Sequence, residues 1–198
     1  YGGRWTGVDC AENQIRHAIR LSQESGMDIR FLVAPAEATG LPDHSFDVIT
    51  ACQCIPYFDK PKLVRETVRL LRPGGHFLIL YMAWLPGESE IARQSETLVL
   101  QVNPDWSGGN MQRTPCTMPE WAVSAFTCAH AVGYDVDIPF TRESWHGRMI
   151  ACRGIGASSL PQSAIDTFTR AHLSYLQTVP PTFTIPHYVT LLDLQCKV

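Results

Sequence analysis

At 198 residues, 45% hydrophobic and 18% charged, the chain can bury one sizeable core and is short for two ordinary domains, so a single domain over 1–198 is expected. A net charge of -3 without a dense Lys/Arg run offers no face that follows a phosphate backbone and argues against nucleic-acid binding. No apolar run approaches the roughly 20 residues of a membrane span and no signal-peptide pattern opens the chain, while seven scattered cysteines read as reduced thiols of a cytoplasmic protein.

The apolar "WTGV" reads as a strand, followed by a helix whose Ile15, Ala18, Ile19 and Ser22 share a face and which Gly26 stops. "IRFLV" is a second strand. Pro42, Asp43 and Ser45 mark a turn before a buried strand through Val48, Ile49 and Ala51. "KPKLVRETVRLL" places Leu63, Val64, Val68 and Leu71 on one helical stripe, "RPGG" ends it, and "HFLILY" is the next strand. This alternation predicts a parallel sheet with helices on both faces. Residues 82–116 are turn-rich, with only "SEIARQSETLVLQV" helical, and read as an insertion or lid. In "TMPEWAVSAFTCAHAVGY" the Thr117/Glu120 capping-box pattern and the Gly133 stop predict a helix. "YDVDIPF" alternates as a strand, "RESWHGRMIACR" reads as helical, Ser159 with Gln162 is expected to cap the helix "PQSAIDTFTRAHLSYLQ", and "HYVTLLDLQCKV" is the last strand.

In an open parallel sheet, ligands bind at the carboxyl ends of the strands. Asp9 stands at such an end, where a carboxylate can accept hydrogen bonds from both hydroxyls of a ribose; the plainer reading is a helix cap or a surface charge. "CQC" at 52–54 lacks companions at ligand spacing, so no metal site is expected.

Taken together, "GVD...AENQI", "AEATGLPDHSFDVITACQCIPYF" and "LVRETVRLLRPGGHFLIL" resemble the class I S-adenosylmethionine-dependent methyltransferases, in their small-molecule branch. The likeness is close over residues 5–81. It implies a Rossmann-like doubly wound sheet in the order 3-2-1-4-5-7-6 with strand 7 antiparallel, and S-adenosyl-L-methionine as cofactor. It further implies that Asp9, with Cys10 beside it, grips the ribose, that Ala36 and Glu37 lie by the adenine, and that Gln53 lies by the methionine part. Asp47 in "FDVI" is read as structural. The family's first strand and glycine-rich loop are expected upstream of Tyr1, in roughly 30 residues or more if one strand-helix unit stands there. Two positions depart from the family. Pro35 offers no side-chain acceptor to the adenine amino group, and Ala11 replaces a helix-capping Ser, an expected loss of ~1 kcal/mol.

The implied activity is methyl transfer to a small-molecule acceptor by direct displacement. Such chemistry needs positioning and a dry, aromatic-walled site more than strong acid or base groups. Tyr57, Tyr81 and Trp84 are the aromatic candidates near strand ends. The stretch "SWHGRMIACR" adds Trp145, Arg148 and Arg153 as acceptor-binding residues and His146 as a base, with His187 as a rival; the plainer reading is a solvated amphipathic helix. The two arginines are five apart and would diverge on one helix unless it breaks near Gly147. Two other classes stay open: a non-catalytic binding module of the same fold, and a nucleotide-binding oxidoreductase, since a ribose-gripping Asp suits NAD equally. The acceptor atom is open, as is the choice between monomer and homodimer.

Overall fold

In the computed structural model, which describes residues 2–197, the chain divides into two compact units. The first holds Tyr1–Leu80, Cys116–Val132 and Leu191–Val198, the second Tyr81–Pro115 and Gly133–Thr190.

The first unit opens with β1 (Trp5–Asp9), α1 (Glu12–Glu24) and β2 (Ile29–Val33). β1 and β2 pair in parallel, from Trp5 opposite Ile29 to Asp9 opposite Val33. Gly26, at a φ of 64°, makes the left-handed turn that ends α1, as its place in the sequence predicts. Ala11 gives α1 no side-chain cap, also as expected. β3 (Phe46–Cys52), α2 (Lys60–Leu70) and β4 (Leu71–Trp84) follow. β3 pairs in parallel with β4, and the pairing slips where Phe46 faces Leu71 but Val48 faces His76. "RPGG" fills that slip. A Cβ on Gly75 would lie 2.9 Å from the Arg72 carbonyl and 3.1 Å from the Asp47 carbonyl, so the close approach requires glycine there. Arg72 donates to Asp47 Oδ1 at 2.5 Å, which makes Asp47 a brace of this bulge, as its structural reading holds.

β5 (Phe126–Thr141) and β6 (Thr182–Cys196) are long strands whose residues fall in both units. The four-stranded sheet has the order β3-β4-β6-β5. Within the first unit β5 and β6 run in opposite directions, since Lys197 N–H donates to the Ala125 carbonyl and the Thr127 hydroxyl to that of Gln195. β4 and β6 do likewise, with His76 against Asp193 and the Gly74 carbonyl against the Gln195 amide. Leu63, Leu71, Phe77, Phe126, Leu192 and Leu194 form this unit's core.

The second unit contains α3 (Glu90–Val102), α4 (Arg142–Ile150) and α5 (Gln162–Leu176). Ser89 caps α3 by accepting from Ala92 N–H, and a reciprocal Thr141/Ser144 box caps α4. Trp84, Val99, Trp145, Met149, Phe168 and Ile185 form its core. Residues 82–116 contribute α3 and the stretch after it, and all but Cys116 belong to this unit.

The described strands form a two-stranded and a four-stranded sheet, an α/β arrangement with a mixed sheet as expected, in which one continuous sheet in the order 3-2-1-4-5-7-6 is not seen. Three expectations are corrected. The helix expected over 117–133 is a single 3-10 turn, Glu120–Ala122, followed by β5. Its Thr, Val, Phe and Tyr residues suit a strand as well as a helix, and pairing along β6 decides between them. Ser159 does not cap α5; Pro161 holds that position, with no side-chain cap. The break between Arg148 and Arg153 comes at the end of α4, after Ile150, and not at Gly147. Among the described residues no helix is long and apolar enough to cross a membrane.

Candidate functional site

In the first unit the loops leaving β1, β2 and β3 hold the residues expected to bind a cofactor. Asp9 closes β1, exposed, and its Oδ1 accepts from Ala11 N–H at 2.8 Å. This turn fixes the carboxylate at the strand edge. A carboxylate has about four acceptor directions, so the group can still receive hydroxyl donors. Cys10 beside it is exposed. The Ala34 N–H donates to the Asp9 carbonyl, so the chain leaving β2 is tied to the end of β1. Ala38 N–H then bonds the Pro35 carbonyl, folding Pro35–Ala38 into a turn with Ala36 and Glu37 at its centre. Ala36 packs against the first unit's core. Glu37 Oε1 accepts from Asp59 N–H at 3.0 Å, which commits part of that carboxylate to holding the start of α2.

Gln53, just past β3, has a φ of 61°. Few residues other than glycine take this left-handed region, and an ordinary side chain there costs about 1–3 kcal/mol, a strain that clusters at binding sites. Its N–H donates to the Leu80 carbonyl at 3.0 Å, which holds the backbone in place. The strain was invisible in the sequence, because it belongs to a dihedral and not to a residue type. Burial pushes the thiol of Cys54 up, with Cys52 and, more weakly, the Asp9 carboxylate adding to the shift. Tyr57 lies exposed in the 3-10 turn Ile55–Tyr57. The set fits an adenosyl cofactor in its charge and hydroxyl-accepting capacity.

The acceptor-side candidates lie in the second unit. Tyr81 is exposed on β4. Trp84 and Trp145 are buried, their rings edge to face at 5.7 Å. Trp84 Nε1 donates to Glu96 Oε1 at 2.6 Å, and the Arg148 guanidinium lies 4.8 Å from the Trp84 ring centroid. Arg153, beyond the end of α4, is exposed. His187 is buried, and its Nδ1 donates to the Ile185 carbonyl at 2.8 Å; burial is the main cause that lowers its pKa.

His146 is half-buried on α4, with its pKa lowered by burial, and its Nδ1 lies 2.9 Å from Nδ1 of His172. His172 on α5 is fully buried, stacks on Phe168 and has its pKa pushed down to about 4 by burial and then by His146. Its Nε2 lies 2.9 Å from the Ser95 hydroxyl on α3, which also accepts from Trp145 Nε1. Sequence reading missed His172 and Ser95. The only signal was a histidine on the apolar stripe Phe168, His172, Leu176, which is most often a satisfied core residue.

Comparison with known proteins finds relatives over the first part of the chain. Residues 1–79 match the family described as a methyltransferase domain. An uncharacterized methyltransferase, YcgJ of Bacillus subtilis, is 38% identical over 76 residues, covering 37% of this chain and 30% of that protein. The demethylmenaquinone methyltransferase of Thermus thermophilus is 35% identical over 80 residues, covering 40% of this chain and 36% of that protein. The chain thus spans about a third of the length of these relatives. A solved structure from Anaeromyxobacter dehalogenans, provisionally described as a type II methyltransferase, aligns over 97% of this chain and 79% of its own at a TM-score of 0.55 and 22% identity, a likeness of fold. The described chain has an α/β methyltransferase fold, and its first 79 residues are similar to the methyltransferase-domain family.

Proposed function

We propose that the protein transfers a methyl group from S-adenosylmethionine to a small-molecule acceptor by direct displacement. The observation that carries this reading is Asp9, fixed at the carboxyl end of β1 within the matched segment. When bound, the cofactor supplies an electrophilic methyl on a sulfonium. Asp9 accepts from the ribose hydroxyls with Cys10 at its side, the Ala36–Glu37 turn lies along the adenine, and the strained Gln53 backbone receives the methionine part. The strand order 3-2-1-4-5-7-6 belongs to the same reading: the observed runs β1-β2 and β3-β4-β6-β5 are the two parts of that order on either side of its first strand.

Exposed Tyr57 in the first unit and exposed Tyr81 in the second are each candidates to offer a ring face to a cationic centre, while within the second unit the Trp84–Trp145 pair builds a rigid wall behind Arg148. Arg153, past the helix end, orients an anionic acceptor. His146 takes the acceptor's proton, with His187 as the rival base. Positioning can supply roughly 7 to 11 kcal/mol in such reactions, so a base need add little. The segment 82–116 closes over the acceptor in this reading.

Calorimetric titration of the full-length protein with S-adenosylmethionine and with its demethylated product tests the cofactor site. Saturable binding that weakens about tenfold in Asp9→Ala is expected, as loss of a charged acceptor should cause. A second reading, a binding module of the same fold without catalysis, is favoured by Pro35 and by the commitment of Glu37 to Asp59 N–H. A folded protein that binds neither compound would establish that reading. For the base, His146→Ala is expected to lower turnover more than cofactor affinity in a screen of small-molecule acceptors, and unchanged turnover would pass the role to His187.

A further inference from the structure

The contacts around Ser95 determine where the protons of two histidines lie. Ser95 Oγ stands 2.7 Å from the Ile91 carbonyl, 2.9 Å from Trp145 Nε1 and 2.9 Å from His172 Nε2. A carbonyl only accepts, so the single hydroxyl proton goes to Ile91. An indole N–H only donates, so Ser95 accepts from Trp145. The remaining contact then requires His172 to donate from Nε2, its second acceptor direction on Ser95 being filled in this way. A neutral His172 so protonated carries its lone pair on Nδ1. That lone pair faces Nδ1 of His146 at 2.9 Å, and His146 must therefore hold its proton on Nδ1 and its lone pair on Nε2.

We propose that Ser95 and His172 are positioning residues: with Trp145 they fix His146 in the tautomer whose Nε2 accepts a proton. The proposal rests on His146 as the base and adds what makes it one. When an acceptor is deprotonated, its bond to hydrogen breaks, the electron pair stays on the acceptor atom, and a new N–H bond forms at Nε2. The resulting imidazolium keeps its Nδ1–H bond to His172, which needs no proton movement to stabilise the charge. Trp145 is fully buried and Ser95 is buried on α3, so the chain of donors is rigid and shielded from competing water. Its members come from three helices, Ser95 from α3, Trp145 and His146 from α4, and His172 from α5.

The test is nitrogen-15 NMR of the full-length protein labelled on its histidines, read at a pH where both rings are neutral. The expected spectrum shows His146 as one tautomer, protonated on Nδ1, and His172 as the other, protonated on Nε2. Ser95→Ala, which removes the acceptor, should leave both rings as tautomer mixtures, and Ser95→Thr should restore the single forms. His146 protonated on Nε2 in the unaltered protein would overturn the assignment without any variant, so a poorly folding Ser95→Ala does not shelter it. A His146 tautomer indifferent to Ser95→Ala in a folded protein would overturn it as well. The base role itself stands or falls on His146→Ala turnover, so the two readings fail separately. Where both hold, Ser95→Ala should cut turnover several-fold with cofactor affinity unchanged, and Ser95→Thr should recover most of it.

Discussion

At the scale of single residues, two positions can be tested directly. Ala11 heads α1 without a side-chain acceptor for the first helical N–H groups. Ala11→Ser should therefore raise stability by about 1 kcal/mol, read as a shift in a urea midpoint, with no change in cofactor affinity. Gln53 is the opposite case. Gln53→Gly relieves the strain of its positive φ and should stabilise by about 1 kcal/mol, yet weaken S-adenosylmethionine binding by removing the side chain. A glycine variant that binds as tightly as the parent would show that Gln53 acts only through its backbone. Asp9 was legible in the sequence because a carboxylate at the end of a strand is a pattern. The Gln53 backbone and the protons on His146 were not, because they are set by partners distant in the chain.

At the scale of elements, the alternation of strands and helices from β1 to β4 could be read in order and type, since each has a clear period and a turn signal after it, although β4 runs from Leu71 to Trp84 and takes in the "RPGG" read as a stop. β5 could not. Trp121, Ala125 and Phe126 sit at spacings that suit a helix, and the ladder with β6 that overrides them lies some seventy residues away in the chain. The network at the end of α2 makes a prediction of its own. The buried Glu66 carboxylate receives the Thr39 N–H at 2.8 Å, the Thr39 hydroxyl at 2.7 Å and the Arg69 guanidinium at 2.7 Å, and Arg69 also reaches the Leu41 carbonyl and Asp43. Hydrogen bonds from Arg69 above all hold its pKa down at about 2. Because the folded pKa is lowered, this group's stabilisation is complete above the ordinary carboxylate range and is lost as pH falls from about 5 towards 2. Glu66→Gln should flatten the stability profile across that window and lower stability at neutral pH, measured by denaturation in a pH series.

At the scale of the whole molecule, the two units should respond to acid at different points. His172 in the second unit has its pKa lowered to about 4, so the unfolded chain takes up its proton first as pH drops from about 6.5. Stability contributed by the neutral ring is present above that pH and is lost on the way to 4, by on the order of 2–3 kcal/mol in all. Glu66 acts on the first unit at lower pH. Hydrogen exchange read peptide by peptide should therefore show α4 and α5 losing protection before α2, and His172→Asn should reduce that difference. Simultaneous loss in the parent would mean that the units unfold as one.

Each unit is also discontinuous in the chain, and that bears on synthesis. The first unit takes in Leu191 and the residues after it, including Leu192 and Leu194 of its core. A ribosome makes those residues only after all of the second unit. The strands and helices before Leu80 must wait, with part of their apolar surface uncovered, until the second unit's residues have been made. Folding of the first unit is thus completed only after the whole of the second unit has been synthesised, and until then its exposed apolar surface is a target for chaperones that shield such surface. Shortening the chain before Leu191 should remove the first unit's fold altogether, even though most of its residues, and all of the candidate cofactor contacts, would still be present.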